Sequence, residues 1–299
     1  MERVELLTYL QQLFGTQVSE EVAHRIYTVR ELIEAVRPQQ GGAGVAEGRG
    51  GDAWGRLLAV PLEGDPLLRE LLKPKSLVAA VMFVVLKIFY FLCWVLLRFR
   101  VTGREHLPPR GPFLLCPNHQ SFLDAFLLVC ALPYGVLRDL FFVGASEYFA
   151  TPVMRWVAKM INLVPVDPDT NLLRAMQAGA FGLRHSKVLI LFPEGERSID
   201  GEVKKFKKGA PILATHLRAP IVPVAFEGIY DVWPRGRRPR WRALLPWDKT
   251  RMRMRFGAPL APPPELPADA SFSQAEALYS AAAEELRGTV GQMREALLS

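Results

Sequence analysis

Cysteine and histidine are scarce in this chain, with three cysteines and five histidines among 299 residues. Cys93, Cys116 and Cys130 lie in apolar stretches without paired spacing, which predicts reduced core thiols of a cytoplasmic protein and excludes a disulfide framework. No histidines have the spacing of metal ligands, so we expect no metal and no other cofactor. We also expect no cleavable signal peptide, because Met1 leads straight into a charged, amphipathic segment.

Acidic residues are the minority, with 30 Asp+Glu against 37 Lys+Arg and a formal net charge of +7. That balance indicates an anionic partner, either nucleic acid or a phospholipid surface. Between Trp233 and Arg255 there is one acid, Asp248, against nine basic residues, and three tryptophans lie among them. Basic residues interleaved with tryptophan suit an anionic membrane surface. We therefore predict a membrane partner and no nucleic acid, which nothing else in the sequence supports.

One long apolar run, Leu77 to Leu97, matches the roughly 20 residues that a helix needs to span a bilayer. Lys87 is its only charge, and basic residues flank both ends, so the charge pattern assigns no orientation. We favour a helix embedded in the cytoplasmic face of the cell membrane, with Lys87 reaching toward the interface. A true span and a buried core helix are the alternatives. The amphipathic stretch before it, Trp54 to Leu72, is typical of a segment lying on a membrane surface.

Strand-like and helical runs alternate from Phe113 onward. The predicted strands are Phe113–Cys116, Leu140–Val143, Leu163–Val166, Val188–Phe192, Ile221–Phe226 and Met252–Phe256. The predicted helices are near Phe122–Leu132, Thr151–Met160, Asn171–His185 and Ala210–Leu217, with a closing helix over Ala275–Leu298. This alternation predicts an α/β fold with a mixed, largely parallel sheet flanked by helices. Functional residues are then expected at the carboxyl ends of strands.

The stretch from Leu114 to Leu128 joins an apolar strand to an apolar helix, with His119 and Asp124 at the junction. A carboxylate that fixes the tautomer of an imidazole makes it a general base. Residues five apart in a regular helix are about 140° out of phase, so the two side chains can meet only if His119 lies in the turn before the helix. The alternative is a capping box, in which Ser121 and Asp124 only satisfy backbone donors.

A second polar stretch follows the apolar strand that ends at Pro193. Gly195 permits a tight turn, and Arg197 offers a planar fork of donors suited to phosphate. Lysines at 204, 205, 207 and 208 precede a helix that begins near Gly209, which is typical of an anion site. The alternative is an ordinary turn with a solvated basic run.

Four segments together resemble a known family. NHQSFLD (118–124), VPVD (164–167), FPEGERS (192–198) and VPVAFEG (222–228) are similar in order and spacing to the motifs of the glycerolipid acyltransferases, of the 1-acylglycerol-3-phosphate acyltransferase type. The resemblance covers about residues 100 to 260. It implies that His119 is the catalytic base and Asp124 its partner. The candidate substrate-binding residues are Asn118, Glu194, Gly195, Arg197, Lys205, Lys208 and Pro223, with Pro223 on the acyl-donor side.

The resemblance implies a membrane-associated O-acyltransferase. It would move a fatty acyl group from an acyl thioester, of coenzyme A or of an acyl-carrier protein, to a hydroxyl of a lysophospholipid such as 1-acylglycerol-3-phosphate. We expect backbone amides near Pro117–Gln120 to stabilise the oxyanion. The chain has Ala145 and Pro168 where the family commonly has basic residues, which makes a lysophospholipid with a larger head group, or another glycerolipid alcohol, an alternative acceptor to lysophosphatidate. The alternative function is a non-catalytic lipid-binding or carrier-docking module.

The first 37 residues resemble the second half of an acyl carrier protein. In that family the serine that bears phosphopantetheine lies just before the position of Met1, so the resemblance implies that this segment cannot carry an acyl group. The alternative is an unrelated pair of amphipathic helices. Residues 38–52 are a Gly-rich linker, so we expect membrane-associated helices over 53–100 and the acyltransferase domain over 101–299.

Overall fold

The structure is a computed structural model that describes residues 53–298, with gaps at 61, 63, 74–75, 145–161, 167–170, 246–247, 249 and 268–269. The described residues belong to one compact unit, Gly50–Ser299. The predicted carrier-like segment and its linker lie outside them. So do the predicted helix Thr151–Met160 and the positions Ala145 and Pro168.

A seven-stranded sheet forms the centre of the part of the chain that the structure describes. Its strands are β1 Arg100–Thr102, β2 Phe113–Pro117, β3 Leu140–Gly144, β4 Leu163–Pro165, β5 Val188–Ile190, β6 Ile221–Glu227 and β7 Arg253–Phe256. The order is β1-β7-β6-β2-β5-β3-β4, and every neighbouring pair is parallel except β6 and β7. The expected mixed, largely parallel sheet is confirmed. Strand β2 lies between β5 and β6, so the carboxyl ends of these three strands meet at one edge.

Helices cover both faces of this sheet. They are α1 Ala53–Leu58, α2 Pro66–Leu72, α3 Ser76–Leu96, α4 Asp124–Ala131, α5 Tyr134–Arg138, α6 Leu172–Arg184, α7 Gly209–Leu217 and α8 Phe272–Leu298. Strand β2 shows the two layers: Leu114 and Cys116 enter a core shared with α6, α7 and α8, whereas Phe113 and Leu115 enter one shared with α3, α4 and α5. A strand buried on both sides reads as a continuous apolar run, which is why β2, β5 and β6 were predictable.

Two short elements were missed by the prediction, and both are too short to show a period. Strand β1 has three residues of mixed polarity, and it exists because β7 offers a partner edge. Helix α5 is a five-residue helix after Pro133. Strand β7, by contrast, has the expected alternation. Met254 and Phe256 are buried, and Arg253 and Arg255 lie on the other side.

The apolar side of the stretch before the apolar helix packs on the protein core. Leu58 of α1 and Leu68 and Leu71 of α2 are buried in the same core as α6 and α7. The apolar side of an amphipathic helix can face a membrane or a protein core, and its periodicity is the same in both cases. Here the core takes it, so α1 and α2 pack within the same compact unit as the sheet.

Helix α3 is the one helix among the described residues that is long and apolar enough to cross a membrane, over Ala79–Leu96. Only 6% of that window is buried, so the buried-core alternative is wrong. Large apolar side chains cover its outer side, among them Val84, Ile88 and Phe91. The opposite side packs on α4 and α5.

Lys87 does not reach toward an interface as predicted. Its Nζ atom donates to the carbonyl oxygens of Cys130 and Leu132, each at 2.9 Å, and lies over the rings of Phe83 and Tyr90. The last carbonyls of a helix have no intrahelical donor, and a cation there also favours the helix dipole. Lys87 therefore ties the exposed apolar helix to the carboxyl end of α4.

We expect Lys87→Met to lower the free energy of unfolding by about 1–3 kcal/mol, because two carbonyls lose their donor. Ile88→Met is the matched control, since Ile88 is the exposed neighbour on the same helix and a volume-conserving change there costs little. Unfolding in detergent micelles would measure both variants. Equal stability of Lys87→Met and wild type would show that the tie contributes nothing.

Candidate active site

The turn between β2 and α4 begins with a fixed asparagine. The Asn118 side-chain amide donates to the Phe226 carbonyl at 3.1 Å and accepts from the Phe226 amide at 2.7 Å. Asn118 is buried, and both polar atoms of its side chain are used in this exchange. Expected to bind substrate, it instead lies inside the protein and holds the end of β2 against the end of β6.

His119 and Asp124 meet at the carboxyl edge of the sheet. The distance from His119 Nδ1 to Asp124 Oδ2 is 2.8 Å, and the two side chains are 20% and 0% exposed. The imidazole stacks on the Phe192 ring with centroids 4.0 Å apart. Because Nδ1 is bound to the carboxylate, Nε2 is the ring nitrogen through which His119 can take a proton.

Asp124 also accepts from the backbone amides of Gln120 at 2.6 Å and Ser121 at 2.8 Å, through the same Oδ2 atom. The bond from Ser121 is the acidic half of a capping box. One carboxylate therefore holds the imidazole and also closes the turn before α4, so Asp124 does more than satisfy backbone donors. Burial raises the pKa of the Asp124 carboxyl, and the hydrogen bonds from His119, Ser121 and Gln120 oppose that rise.

Glu194 joins the second polar stretch to the first. It follows β5, and its Oε1 atom accepts from the His119 amide at 2.9 Å while Oε2 accepts from the Lys204 amide at 3.4 Å. The next residue, Gly195, has φ +76°, a left-handed conformation that glycine adopts without strain. Glu194 is buried, and this burial raises its pKa to about 7. The Ser198 amide completes the connection by donating to the His119 carbonyl at 2.7 Å.

The backbone amides that we expected to stabilise an oxyanion all have acceptors within the protein. The amide of Asn118 donates to Val224, that of His119 to Glu194 and that of Gln120 to Asp124. Pro117 has no amide hydrogen. That expectation is wrong, because the turn uses these donors to hold its own shape.

Arg197 lies beside the His119 turn, with its guanidinium carbon 3.3 Å from the centroid of the Phe122 ring. The preceding residue, Glu196, forms ion pairs with Lys204 at 3.0 Å and with Arg235 at 2.6 Å. These two partners hold the pKa of Glu196 well below its usual range, at about 2. The structure therefore brings His119, Asp124, Glu194 and Arg197 together.

The segment Gly228–Gly236, which we call the β6 loop, also borders the site, although the sequence predicted a membrane contact for Trp233 and Arg235. The Trp233 carbonyl accepts from the Ser121 hydroxyl at 2.7 Å, and the Trp233 ring lies 5.4 Å from that of Phe122. Arg235 follows two residues later. No local pattern in the sequence indicates which surface a loop covers.

The remaining predicted site residues are placed elsewhere. Lys205 is exposed, and Lys208 is ion-paired with Glu276 of α8. Pro223 is buried within β6, opposite Cys116 in the register with β2. None of the described contacts links these three residues to His119 or Asp124.

Comparison with known proteins agrees with this geometry. Residues 98–227 match the family model described as Acyltransferase. That range spans β1 to β6. It therefore contains the turn that carries His119, the turn that carries Glu194, and the strands next to both.

Just under half of the chain is similar to several curated proteins. One is the chloroplastic 1-acyl-sn-glycerol-3-phosphate acyltransferase BAT2 of Brassica napus, 32% identical over 143 residues, covering 46% of this chain and 39% of the relative. Another is the human 1-acyl-sn-glycerol-3-phosphate acyltransferase alpha, 30% identical over 142 residues, covering 46% and 48%. The match thus spans less than half the length of each relative.

The fold of this chain also matches a solved structure. This is the 1-acyl-sn-glycerophosphate (LPA) acyltransferase PlsC of Thermotoga maritima, with a TM-score of 0.54, 24% identity and coverage of 77% of this chain and 87% of that one. At this level of identity the likeness shows the shared fold.

The raised pKa of Glu194 makes a pH-dependent prediction. The neutral carboxyl stabilises the folded state below the usual pKa of about 4.5, and this stabilisation is lost as pH rises through about 7. Glu194→Gln cannot ionise. We therefore expect the free energy of unfolding of wild type, relative to Glu194→Gln, to fall between about pH 5 and 8.

Unfolding in detergent micelles across that range would measure the difference. Glu196→Gln is the control, because the pKa of Glu196 lies at about 2 and its charge does not change in this window. Parallel curves for wild type and Glu194→Gln would contradict the prediction.

Proposed function

We propose that this protein is an O-acyltransferase that moves a fatty acyl group from an acyl thioester to a hydroxyl of a lysophospholipid such as 1-acylglycerol-3-phosphate. The donor is a thioester of coenzyme A or of an acyl-carrier protein. The observation that carries the proposal is the pairing of His119 Nδ1 with the buried Asp124 carboxylate at 2.8 Å, in a domain whose curated relatives are named 1-acyl-sn-glycerol-3-phosphate acyltransferases.

The proposed mechanism uses His119 as a general base. Nε2 takes the proton of the acceptor hydroxyl as its oxygen attacks the thioester carbonyl, and Asp124 stabilises the imidazolium that forms. When the tetrahedral intermediate collapses, the C–S bond breaks and the proton passes to the departing thiolate. The protein forms no covalent bond with the acyl group. Glu194 acts indirectly, by accepting a hydrogen bond from the His119 backbone amide.

The proposed acceptor site extends from His119 toward Arg197. The Arg197 guanidinium stacks on Phe122, three residues after His119, so a group bound there lies beside the imidazole. A planar fork of donors fits the oxygens of a phosphate. An acceptor with its hydroxyl at His119 and its phosphate toward Arg197 satisfies both.

We also propose that the protein works on the cytoplasmic face of the membrane. The exposed apolar side of α3 supports this, since contiguous apolar surface of this extent marks a membrane or protein contact. The tie between Lys87 and the end of α4 places the active-site helix next to that surface. A lipid acceptor can then reach His119 without leaving the bilayer.

Replacing the proposed base should remove activity. We expect His119→Ala to lower kcat by about 10²–10⁴-fold, and Asp124→Asn to lower it as well, because an amide does not stabilise the imidazolium. Labelled acyl-CoA and acyl-carrier thioesters, each with a panel of lysophospholipids, would measure turnover. His185→Gln is the control, since His185 follows α6 at the opposite edge of the sheet and bonds the Phe181 carbonyl.

Equal turnover by wild type and His119→Ala would remove this histidine from the mechanism. Tight binding of lysolipids with no turnover of any donor by wild type would instead make the protein a lipid-binding module.

The membrane contact should depend on the outer side of α3. We expect Ile88→Glu, at a position 58% exposed, to weaken binding to vesicles that contain phosphatidylglycerol. Leu172→Glu is the matched control, because Leu172 is 55% exposed on α6, in the layer on the other face of the sheet. Vesicle flotation would compare the two. An equal loss of binding in both variants, or in neither, would remove α3 from the membrane contact.

A further inference from the structure

The β6 loop lies over the amino end of α4 and is fastened there at two points. The Ser121 hydroxyl donates to the Trp233 carbonyl at 2.7 Å, and the ring of Trp233 packs against Phe122. Further back in the loop, the Tyr230 hydroxyl donates to the Ile199 carbonyl. The loop is thus attached both to the His119 turn and to the turn after β5. The loop thereby places Arg235 next to the turn after β5, although Arg235 belongs to none of the four motifs.

Arg235 is bound at two points of the turn after β5. Its Nη1 atom lies 2.6 Å from Glu196 Oε2 and 3.1 Å from the Arg197 carbonyl oxygen. Lys204 makes the equivalent pair of contacts from the other side, 3.0 Å to Glu196 Oε1 and 3.4 Å to the Arg197 carbonyl. Glu196 therefore holds two cationic side chains next to a third, Arg197.

These four side chains carry three positive charges and one negative charge. Two acids lie close by: Asp200 accepts from the Ser198 hydroxyl and interacts with Lys204, and Glu202 pairs with Arg294 of α8. The Arg235 side chain is 38% exposed, so part of its guanidinium faces solvent. Three neighbouring cationic side chains, of which Arg235 and Lys204 are partly exposed, match a phosphate monoester, which carries up to two negative charges.

We infer that Arg235 is a specificity-determining residue that binds the phosphate monoester of the acceptor, with Lys204 and Arg197 beside it and Glu196 as the group that positions Arg235 and Lys204. This inference rests on the proposed function for its acceptor, since it assigns the phosphate end of the molecule whose hydroxyl lies at His119. It also assigns the acceptor class, because a neutral monoacylglycerol has no negatively charged group to pair with these three cations.

The test is equilibrium binding of a short-chain lysophosphatidate that stays monomeric, followed by phosphorus NMR. We expect Arg235→Gln to raise its dissociation constant about tenfold, the size of one lost charge-assisted hydrogen bond. Arg235→Lys keeps the charge and should retain part of the affinity. The matched control is Arg184→Gln, because Arg184 is exposed at the end of α6, at the opposite edge of the sheet. Binding of the corresponding monoacylglycerol, measured by calorimetry, should be the same in wild type and Arg235→Gln.

A dissociation constant within about twofold of wild type for Arg235→Gln would overturn the inference. So would an equal loss in Arg184→Gln, which would indicate a general charge effect, or an equal loss for the monoacylglycerol, which would indicate a distorted site. Thermal unfolding of each variant would identify misfolding, and in that case Arg235→Lys decides. The readout needs no acyl transfer, so failure of the proposed activity appears separately, as absent turnover by wild type.

Discussion

The active-site edge depends on one buried oxygen atom. Oδ2 of Asp124 accepts from the His119 ring and from the amides of Gln120 and Ser121. Burying a carboxylate costs free energy unless it accepts hydrogen bonds, and buried donors likewise require an acceptor. The carboxylate and its three donors therefore stabilise one another. The turn, the start of α4 and the orientation of the imidazole are therefore one arrangement, and no member can move alone.

The same helix is held at its other end by the neighbouring helix α3. Lys87 of α3 binds the Cys130 and Leu132 carbonyls, so α4 has Asp124 at its amino end and a lysine of the exposed apolar helix at its carboxyl end. On the opposite side of His119, Glu194 and Ser198 bind its backbone. The candidate site is thus held by hydrogen bonds at the position where the imidazole is oriented. The polar residues at its rim, by contrast, are partly exposed.

Much of this was predictable because it is local. The apolar runs of β2, β5 and β6 predicted buried parallel strands, and the five-residue spacing of His119 and Asp124 predicted a turn before a helix. Their proximity follows from chain geometry over a few residues. The expectation that backbone amides stabilise an oxyanion was wrong because it considered only the local turn. The amides exist in the right place, but Glu194 and Asp124 accept from them, and Glu194 comes from a strand 75 residues later.

The sequence by itself determined the α/β architecture, the pairing of His119 with Asp124, and the presence of one apolar helix long enough to cross a membrane. Each of these follows from the periodicity or the spacing of neighbouring residues. Only the tertiary structure decided which surfaces meet. It buried α1 and α2 in the core, directed Lys87 to the end of α4 and placed Arg235 beside Arg197. These outcomes depend on which strands are neighbours in the sheet, and that order is a property of the whole chain rather than of any segment.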